Sequence, residues 1–107
     1  MTSADLRTAQ QIARDILEGR TSMIEGVRHL TVLASRLAEV VWHDPVLGTF
    51  AAVDSETDCL PVGPVRELWN SEALREQDVE IAQAELFYRA KVENACRDLL
   101  ARQLGEP

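Results

Sequence analysis

The feature of this sequence that most constrains its fold is a helical apolar pattern near the C-terminus, longer than any other in the chain. The pattern begins at about Glu72, with Asn70 or Ser71 as the cap, and ends at about Gln103. When each residue is advanced by about 100°, eight apolar side chains fall on one face. These are Leu74, Ile81, Ala84, Tyr88, Val92, Ala95, Cys96 and Leu99. The pattern predicts one long C-terminal helix packed against a helical bundle.

A shorter pattern at the N-terminus predicts a first helix from about Ala4 to Glu18. Its apolar residues recur at the three-and-four spacing of a single helical face. Ser3 can cap the start, and Gly19 can end the helix in a left-handed turn. Because the loop that follows is short, the first two helices are expected to be antiparallel neighbours.

The second predicted helix opens with Ser22 and Glu25, whose spacing lets each side chain bind the other's backbone N–H. Apolar residues then line one side, and Arg28 is expected to lie away from them. Pro45 stops the helix at or before Asp44, because the residue before a proline is pushed out of the helical region.

The middle of the chain, residues 43–70, holds all three internal prolines and is the least regular part. Asp44 and Pro45 can begin a short helix, but the two prolines of 60–64 exclude a helix interior there. The fold predicted for residues 1–107 is therefore a single all-α domain. It is a small up-and-down bundle of three main helices with a structured Pro/Gly-containing crossover and a long C-terminal helix.

The charge balance bears on the class of partner. The chain carries 18 acidic and 11 basic side chains, a formal net charge of -7. Such a surface repels nucleic-acid phosphates and attracts a basic protein partner, although acidity of this size also serves solubility. No apolar run is long enough to cross a bilayer, so neither nucleic acid nor membrane is an expected partner and a cytoplasmic location is predicted.

Motifs of common enzyme classes are missing from the sequence. It has no Glu-x-x-Glu or Glu-x-x-His pair, no Gly-x-Ser-x-Gly elbow and no glycine-rich phosphate loop. The two cysteines, Cys59 and Cys96, lack metal or redox spacing and are expected to be packed and reduced. No catalytic residue, metal ligand or cofactor is therefore predicted, and the protein is expected to be no enzyme.

One arrangement leaves an enzymatic alternative open. His43 precedes an acidic cluster of Asp54, Glu56 and Asp58. Such residues could serve a small metal-dependent hydrolase if they converged on one ion. The competing interpretation is that the acids form a helix end and a turn, bonding nearby backbone N–H groups.

The stretch 54–69 combines an acid-rich run with Leu-Pro-x-Gly and then Arg66 and Trp69. With residues 24–30 and 84–89, it resembles a group of small uncharacterised bacterial helical proteins. The resemblance covers most of the chain. It implies a helical fold and a bacterial cytosolic origin, and it supplies no activity and no catalytic residues.

The same stretch has two physical interpretations. It can be a binding surface formed by the acids, Arg66 and Trp69. It can equally be a lid, with Leu60, Val62 and Trp69 packed over the helix ends and Arg66 paired with a nearby acid. The lid predicts that Trp69 is a core aromatic.

A second apolar set on the last helix points away from its main face. Val79, Leu86 and Phe87 form a compact group that one three-helix core does not cover. Exposed apolar residues occur on monomers, but a self-complementary contact would bury this group. We therefore expect a homodimer centred there, and a protein–protein interaction module as the function. A specific form is an immunity or antitoxin protein whose acidic surface blocks a basic effector.

Overall fold

The computed structural model describes residues 3–35 and 44–102, and throughout these ranges the regular structure is helical. Within the described ranges, four α-helices and one 3₁₀ helix follow one another. They are α1 (Ser3–Leu17), α2 (Met23–Ser35), α3 (Pro45–Thr57), the 3₁₀ helix (Gly63–Leu68) and α4 (Ser71–Leu100). None of these helices combines the length and the apolar character that a membrane span requires.

The turn between α1 and α2 confirms the predicted role of Gly19. Its φ is 75°, in the left-handed region that favours glycine. The N–H of Arg20 donates to the carbonyl of Asp15 at 2.8 Å, and the N–H of Gly19 donates to Ile16 at 3.2 Å. This pair of bonds is the Schellman arrangement, and it turns the chain sharply back toward α2.

The start of α2 confirms half of the predicted capping box and adds a contact from outside it. Glu25 donates its N–H to the Ser22 hydroxyl at 3.0 Å. The N–H of Met23 donates instead to a carboxylate oxygen of Glu85 in α4, also at 3.0 Å. A distant helix therefore satisfies one of the N–H groups that the first turn of a helix leaves unpaired. The predicted continuation of α2 through His43 lies outside the described residues.

The expected short helix of the middle segment is wrong in extent, and α3 is a 13-residue helix of the core. Asp44 caps it, accepting from the N–H groups of Val46 at 3.0 Å and Leu47 at 3.3 Å. Its residues Leu47, Phe50, Val53 and Thr57 are buried. The prediction of an all-α bundle with a long C-terminal helix is therefore confirmed for the described residues, but their bundle has four α-helices instead of three main ones.

The physical reason for that error lies in the distribution of apolar residues in α3. Ala51 is half-buried and Ala52 exposed, so apolar side chains are spread around the helix and give no clean amphipathic face. The acids of residues 54–58 have the composition of a turn, yet the helix continues through Thr57. Tertiary packing outweighs the local preference.

The hydrophobic core lies between α1, α2, α3 and the last third of α4. Its buried members are Ala9, Ala13, Ile16, Met23, Val27, Leu30, Ala34, Leu47, Phe50, Val53, Val92, Ala95, Cys96 and Leu99. Gln10, also buried, donates to the carbonyls of Leu99 and Arg102, both at 3.0 Å. These bonds satisfy carbonyl groups at the end of α4 and fix it to α1.

Helices α1 and α2 pack closely together at Gly26. A Cβ atom added there would lie 2.5 Å from Cγ1 and 2.7 Å from Cδ1 of Ile16. Glycine is therefore needed for the packing of the two helices, although it is a poor residue for a helix interior.

We expect Gly26→Ala to destabilise the protein by about 1 to 3 kcal/mol in urea unfolding, because the new methyl group displaces Ile16. In an Ile16→Ala background the same substitution should be neutral or stabilising, since alanine has the better helix propensity. If Gly26→Ala alone stabilised the protein, the Ile16 side chain would be able to move aside without cost, and the prediction would be wrong.

Asp44 also pairs with Arg102, whose guanidinium donates to its carboxylate at 2.7 Å. Burial by itself raises the pKa of Asp44, but hydrogen bonds from Arg102, Leu47 and Val46 outweigh it, and the pKa lies below its ordinary value of 3.8. The charged form of Asp44 therefore stabilises the folded protein at pH values above the unfolded-state pKa, and this stabilisation is lost as the pH falls through the folded-state pKa.

We expect Asp44→Ala to lower the free energy of unfolding at pH 7 by about 1 to 2 kcal/mol, because the cap and the ion pair are both lost. Asp44→Asn keeps a capping oxygen and should lose less. The difference in free energy of unfolding between the wild type and Asp44→Asn, measured by urea denaturation at a series of pH values, should disappear as the pH falls below 3.8. A difference independent of pH would contradict the role of the carboxylate charge.

Candidate functional site

The candidate site is the N-terminal part of α4, residues 71–87, which we call the arm. Helix α4 has 30 residues, whereas α1 has 15 and α2 and α3 have 13 each. The first buried residue of α4 is Val92, and the arm contains none. The described part of the chain accordingly measures 52 × 24 × 22 Å. The arm therefore lies along and beyond the bundle instead of inside it.

The three residues predicted for a dimer interface are among the most exposed apolar side chains of the described chain. Val79 is 58% exposed, Leu86 76% and Phe87 78%. Phe87 packs edge-on against Tyr88, with 4.8 Å between the ring centroids, and Tyr88 in turn contacts the core. The structure therefore leaves this group outside the core, and the dimer itself stays a prediction.

The outer side of α4 carries a continuous exposed row, which we call the outer stripe. At about 100° per residue, its members lie about 90° to 170° around the helix from the centre of the buried side, which is formed by Val92, Ala95, Cys96 and Leu99. All are exposed except the half-buried Glu93. The outer stripe consists of Glu72, Arg75, Val79, Ala82, Leu86, Ala90, Glu93 and Arg97.

Polar contacts hold the inner side of the arm. The Glu85 carboxylate accepts from the N–H of Met23, as described above, and the Tyr88 hydroxyl donates to the Glu56 carboxylate. Each contact joins α4 to a different helix of the bundle. The arm therefore has a fixed orientation while its outer side remains exposed.

Arg66 attaches the 3₁₀ helix to the arm. Its guanidinium donates twice to the carboxylate of Asp78, at 2.7 and 3.1 Å, and once to the Pro61 carbonyl at 3.2 Å. The hydrogen bond from Arg66 holds the pKa of Asp78 below its usual value, and the same bond raises the pKa of Arg66. Arg66 is paired as predicted, but its partner is an acid of α4 and not one of the acidic cluster.

The acidic cluster does not converge. Asp54 pairs with Arg28 at 3.3 Å, Glu56 accepts from Tyr88, and the exposed Asp58 caps the end of α3. Within residues 3–35 and 44–102, no three His, Cys, Asp or Glu side chains are grouped so that they could hold a metal ion. His43 lies outside these ranges. The arrangement agrees with a helix end followed by a turn.

Arg28 organises that helix end, and the expectation that it lies away from the packed side of α2 is wrong. Besides Asp54, its guanidinium donates to the carbonyls of Thr57 at 2.7 Å and Leu60 at 3.2 Å. The side chain is 26% exposed. A single half-buried arginine thus satisfies two carbonyl groups where α3 ends. Sequence periodicity gave no signal for this contact, because it depends on the packing of α2 against α3.

The lid prediction holds for part of the 54–69 stretch and fails for Trp69. Leu60 and Pro61 are buried and Val62 is half-buried. Trp69 is 37% exposed, and the neighbouring Leu68 is 84% exposed. The 3₁₀ helix has no buried residue, and Trp69, its C-cap, is not among the side chains that pack against the hydrophobic core.

Two shallow surface clefts are separate from the predicted site residues. One, of about 440 Å³, lies between the start of α3 and the end of α4, and the other, of about 330 Å³, lies between α1 and α2. Asp54, Glu56 and Asp58 line neither cleft.

The two cysteines differ in environment. Cys96 is buried, and burial together with the nearby Glu93 raises the pKa of its thiol to about 11. Cys96 is therefore protonated at neutral pH and is a poor nucleophile. The expectation of a packed thiol is confirmed for Cys96 and wrong for Cys59, which is exposed.

Comparison of the chain with protein-family models, with curated proteins and with solved structures gives no match. The resemblance seen in residues 54–69 accordingly stays a prediction. The function must be argued from the geometry of the chain itself.

The exposure of Trp69 changes the expected result of removing it. We expect Trp69→Ala to cost about 1 kcal/mol in urea unfolding, because much of the ring surface stays in contact with water. The matched control is Phe50→Ala, which removes a fully buried ring of α3 and should cost about 3 to 5 kcal/mol. If the two variants lost equal amounts of unfolding free energy, Trp69 would have to be regarded as a core residue.

Proposed function

We propose that this protein is a non-enzymatic interaction module that binds another protein chain through the arm. The observation that carries the proposal is the exposure of Val79, Leu86 and Phe87 on a helical segment without a buried residue. A monomeric soluble protein rarely exposes a large continuous apolar surface unless that surface binds something.

The energetics of the arm support this function. Helices are marginal in water without tertiary packing on an apolar face, and the arm has such packing on its inner side only. Covering a Leu or Phe side chain contributes about 1.5 to 3 kcal/mol. A partner that covers the outer side therefore gains binding energy by burying side chains that the bundle leaves exposed to water. A single exposed helix is also a common recognition element, since it fits a groove or a second helix.

The flank of the arm adds an electrostatic preference. Glu72, Glu76 and Glu80 are exposed and follow one another at intervals of one helical turn. Together with the net charge of -7, this row favours encounter with a basic surface. An immunity or antitoxin protein that blocks a basic effector is a specific form of the proposal.

The alternative function, a metal-dependent hydrolase using the acidic cluster and His43, has less support. Its acids would have to converge on one ion, yet the Asp54 and Glu56 carboxylates bind Arg28 and Tyr88 respectively. The carboxylates are used to join helices, so the arm provides the better-supported site.

Site-specific photo-crosslinking in living cells of the native host tests the proposal. A photoreactive amino acid at position 86 should give a covalent adduct of defined mass. The matched control places it at position 32, because Val32 is also exposed, at 57%, but lies on α2. We expect adducts at position 86 and none at position 32. Failure to obtain an adduct at positions 79, 86 and 87 would overturn the arm as a binding surface.

A further inference from the structure

The side chains of the outer stripe, taken in order from one end, are complementary to the same side chains taken in order from the other end. From the N-terminal end it carries an acid, a base, a large apolar residue, an alanine, a large apolar residue, an alanine, an acid and a base. Read from the other end, every acid meets a base and every large apolar residue meets an alanine. A stripe of this kind matches a second copy of itself running in the opposite direction.

The spacing of the residues agrees with that pairing along the whole helix. In one antiparallel register, Glu72 lies opposite Arg97 and Arg75 lies opposite Glu93. In the same register Val79 lies opposite Ala90, and Ala82 lies opposite Leu86. The pairs Glu72–Arg97 and Val79–Ala90 are centred between Ala84 and Glu85, and the other two pairs are centred on Ala84. The two centres differ by half a residue, so a single antiparallel register accommodates all four pairs.

The sizes of the central side chains suit close packing. Helices pack with axes about 8 to 10 Å apart, and large side chains on one must enter the spaces beside smaller ones on the other. Val79 and Leu86 each face an alanine, which leaves room for the large side chain. Phe87 lies on the edge of the stripe, about 100° from Leu86, where it can cover the contact from the side.

The charges favour the antiparallel arrangement over the parallel one. Two parallel copies in register would place Glu72 against Glu72 and Arg75 against Arg75, and like charges repel. The ion pairs that the two C-terminal charges of the outer stripe, Glu93 and Arg97, make within the chain are weak. Glu93 lies 3.6 Å from Arg89 and 3.8 Å from Arg97 in surface pairs along the helix. Exposed pairs of this kind contribute little, so both side chains are available to a partner.

We propose that the partner of the arm is a second copy of this chain, bound antiparallel along the outer stripe about a two-fold axis between Ala84 and Glu85. This inference rests on the proposed function and names a second copy of the chain, instead of a basic protein, as the partner of the arm. The contact is about 38 Å long, from Glu72 to Arg97, at 1.5 Å per residue. The fully buried side chains of α4, from Val92 to Leu99, are not members of the outer stripe.

Charge exchange tests both the partner and the register. Glu72→Arg and Arg97→Glu should each weaken the dimer about tenfold in sedimentation equilibrium at low salt, because each places like charges together at both ends of the contact. Mixing the two variants should restore the wild-type affinity, since both pairs are then again opposite in charge. The double variant should restore it in the same way.

Matched controls keep net charge and folding out of the result. Glu80→Arg and Lys91→Glu change the net charge by the same amounts at exposed positions off the outer stripe, and they should leave the dimer intact. Circular dichroism should show all variants folded. The variant Leu86→Glu with Phe87→Glu should be a folded monomer, and its unfolding would assign these residues to the core and overturn the inference.

Distance measurement tests the orientation directly. In a Cys59→Ser background, a spin label at Ser71→Cys should give an inter-label distance of about 40 Å in the antiparallel dimer. A parallel dimer would give about 10 Å. The buried Cys96 should not be labelled.

The outcomes separate this inference from the proposed function. A wild-type protein that is monomeric at millimolar concentration, or a mixture of Glu72→Arg and Arg97→Glu that stays dissociated, overturns the self-pairing. If position 86 then still cross-links in the host to a different protein, the arm remains a binding surface and only its partner changes. An adduct at position 86 with twice the mass of the chain supports self-pairing.

Discussion

The difference in helix length is the constraint on which the rest of the structure depends. Three helices of 13 to 15 residues extend about 20 Å, whereas the 30 residues of α4 extend about 45 Å. A core built from the short helices can cover only part of the long one. Burial in α4 therefore starts at Val92, and the preceding residues keep a half-covered inner side and an exposed outer side.

Three ion pairs of the described residues join separate elements of the fold. Arg28 fixes the end of α3 to α2, Asp44 fixes its beginning to the end of α4, and Arg66 fixes the 3₁₀ helix to Asp78. Because each arginine also binds backbone carbonyls or a helix cap, these pairs set geometry as well as adding a modest stabilisation. The acidic cluster, considered as a ligand set from the sequence, belongs to this group of structural contacts.

Sequence reasoning predicted the features that depend on local chemistry. The Gly19 turn, the Ser22 cap and the long periodic pattern of α4 each follow from a few neighbouring residues, and the structure has them. The predictions were wrong for features that depend on packing between segments distant in the sequence. The full length of α3, the partners of Arg28 and the exposure of Trp69 all depend on how helices are placed against one another, which periodicity along a single segment does not encode.

The exposure of Val79, Leu86 and Phe87 could be predicted from the sequence for a physical reason. Apolar residues on two sides of one helix require two covering surfaces, and a chain of this length supplies one. The structure adds that the charged residues in line with Val79 and Leu86 are exposed, except for the half-buried Glu93. The acids and the two flanking arginines become informative only when their side of the helix is known.

The hydrogen bond from the Met23 N–H to Glu85 has a consequence for the thermodynamics of recognition. The arm could turn about its axis only by breaking that bond and the Tyr88 contact to Glu56. Its backbone and direction are therefore ordered before any partner arrives. A surface ordered in advance loses little conformational entropy on association, so even a narrow apolar row can bind with useful affinity and release its partner without unfolding.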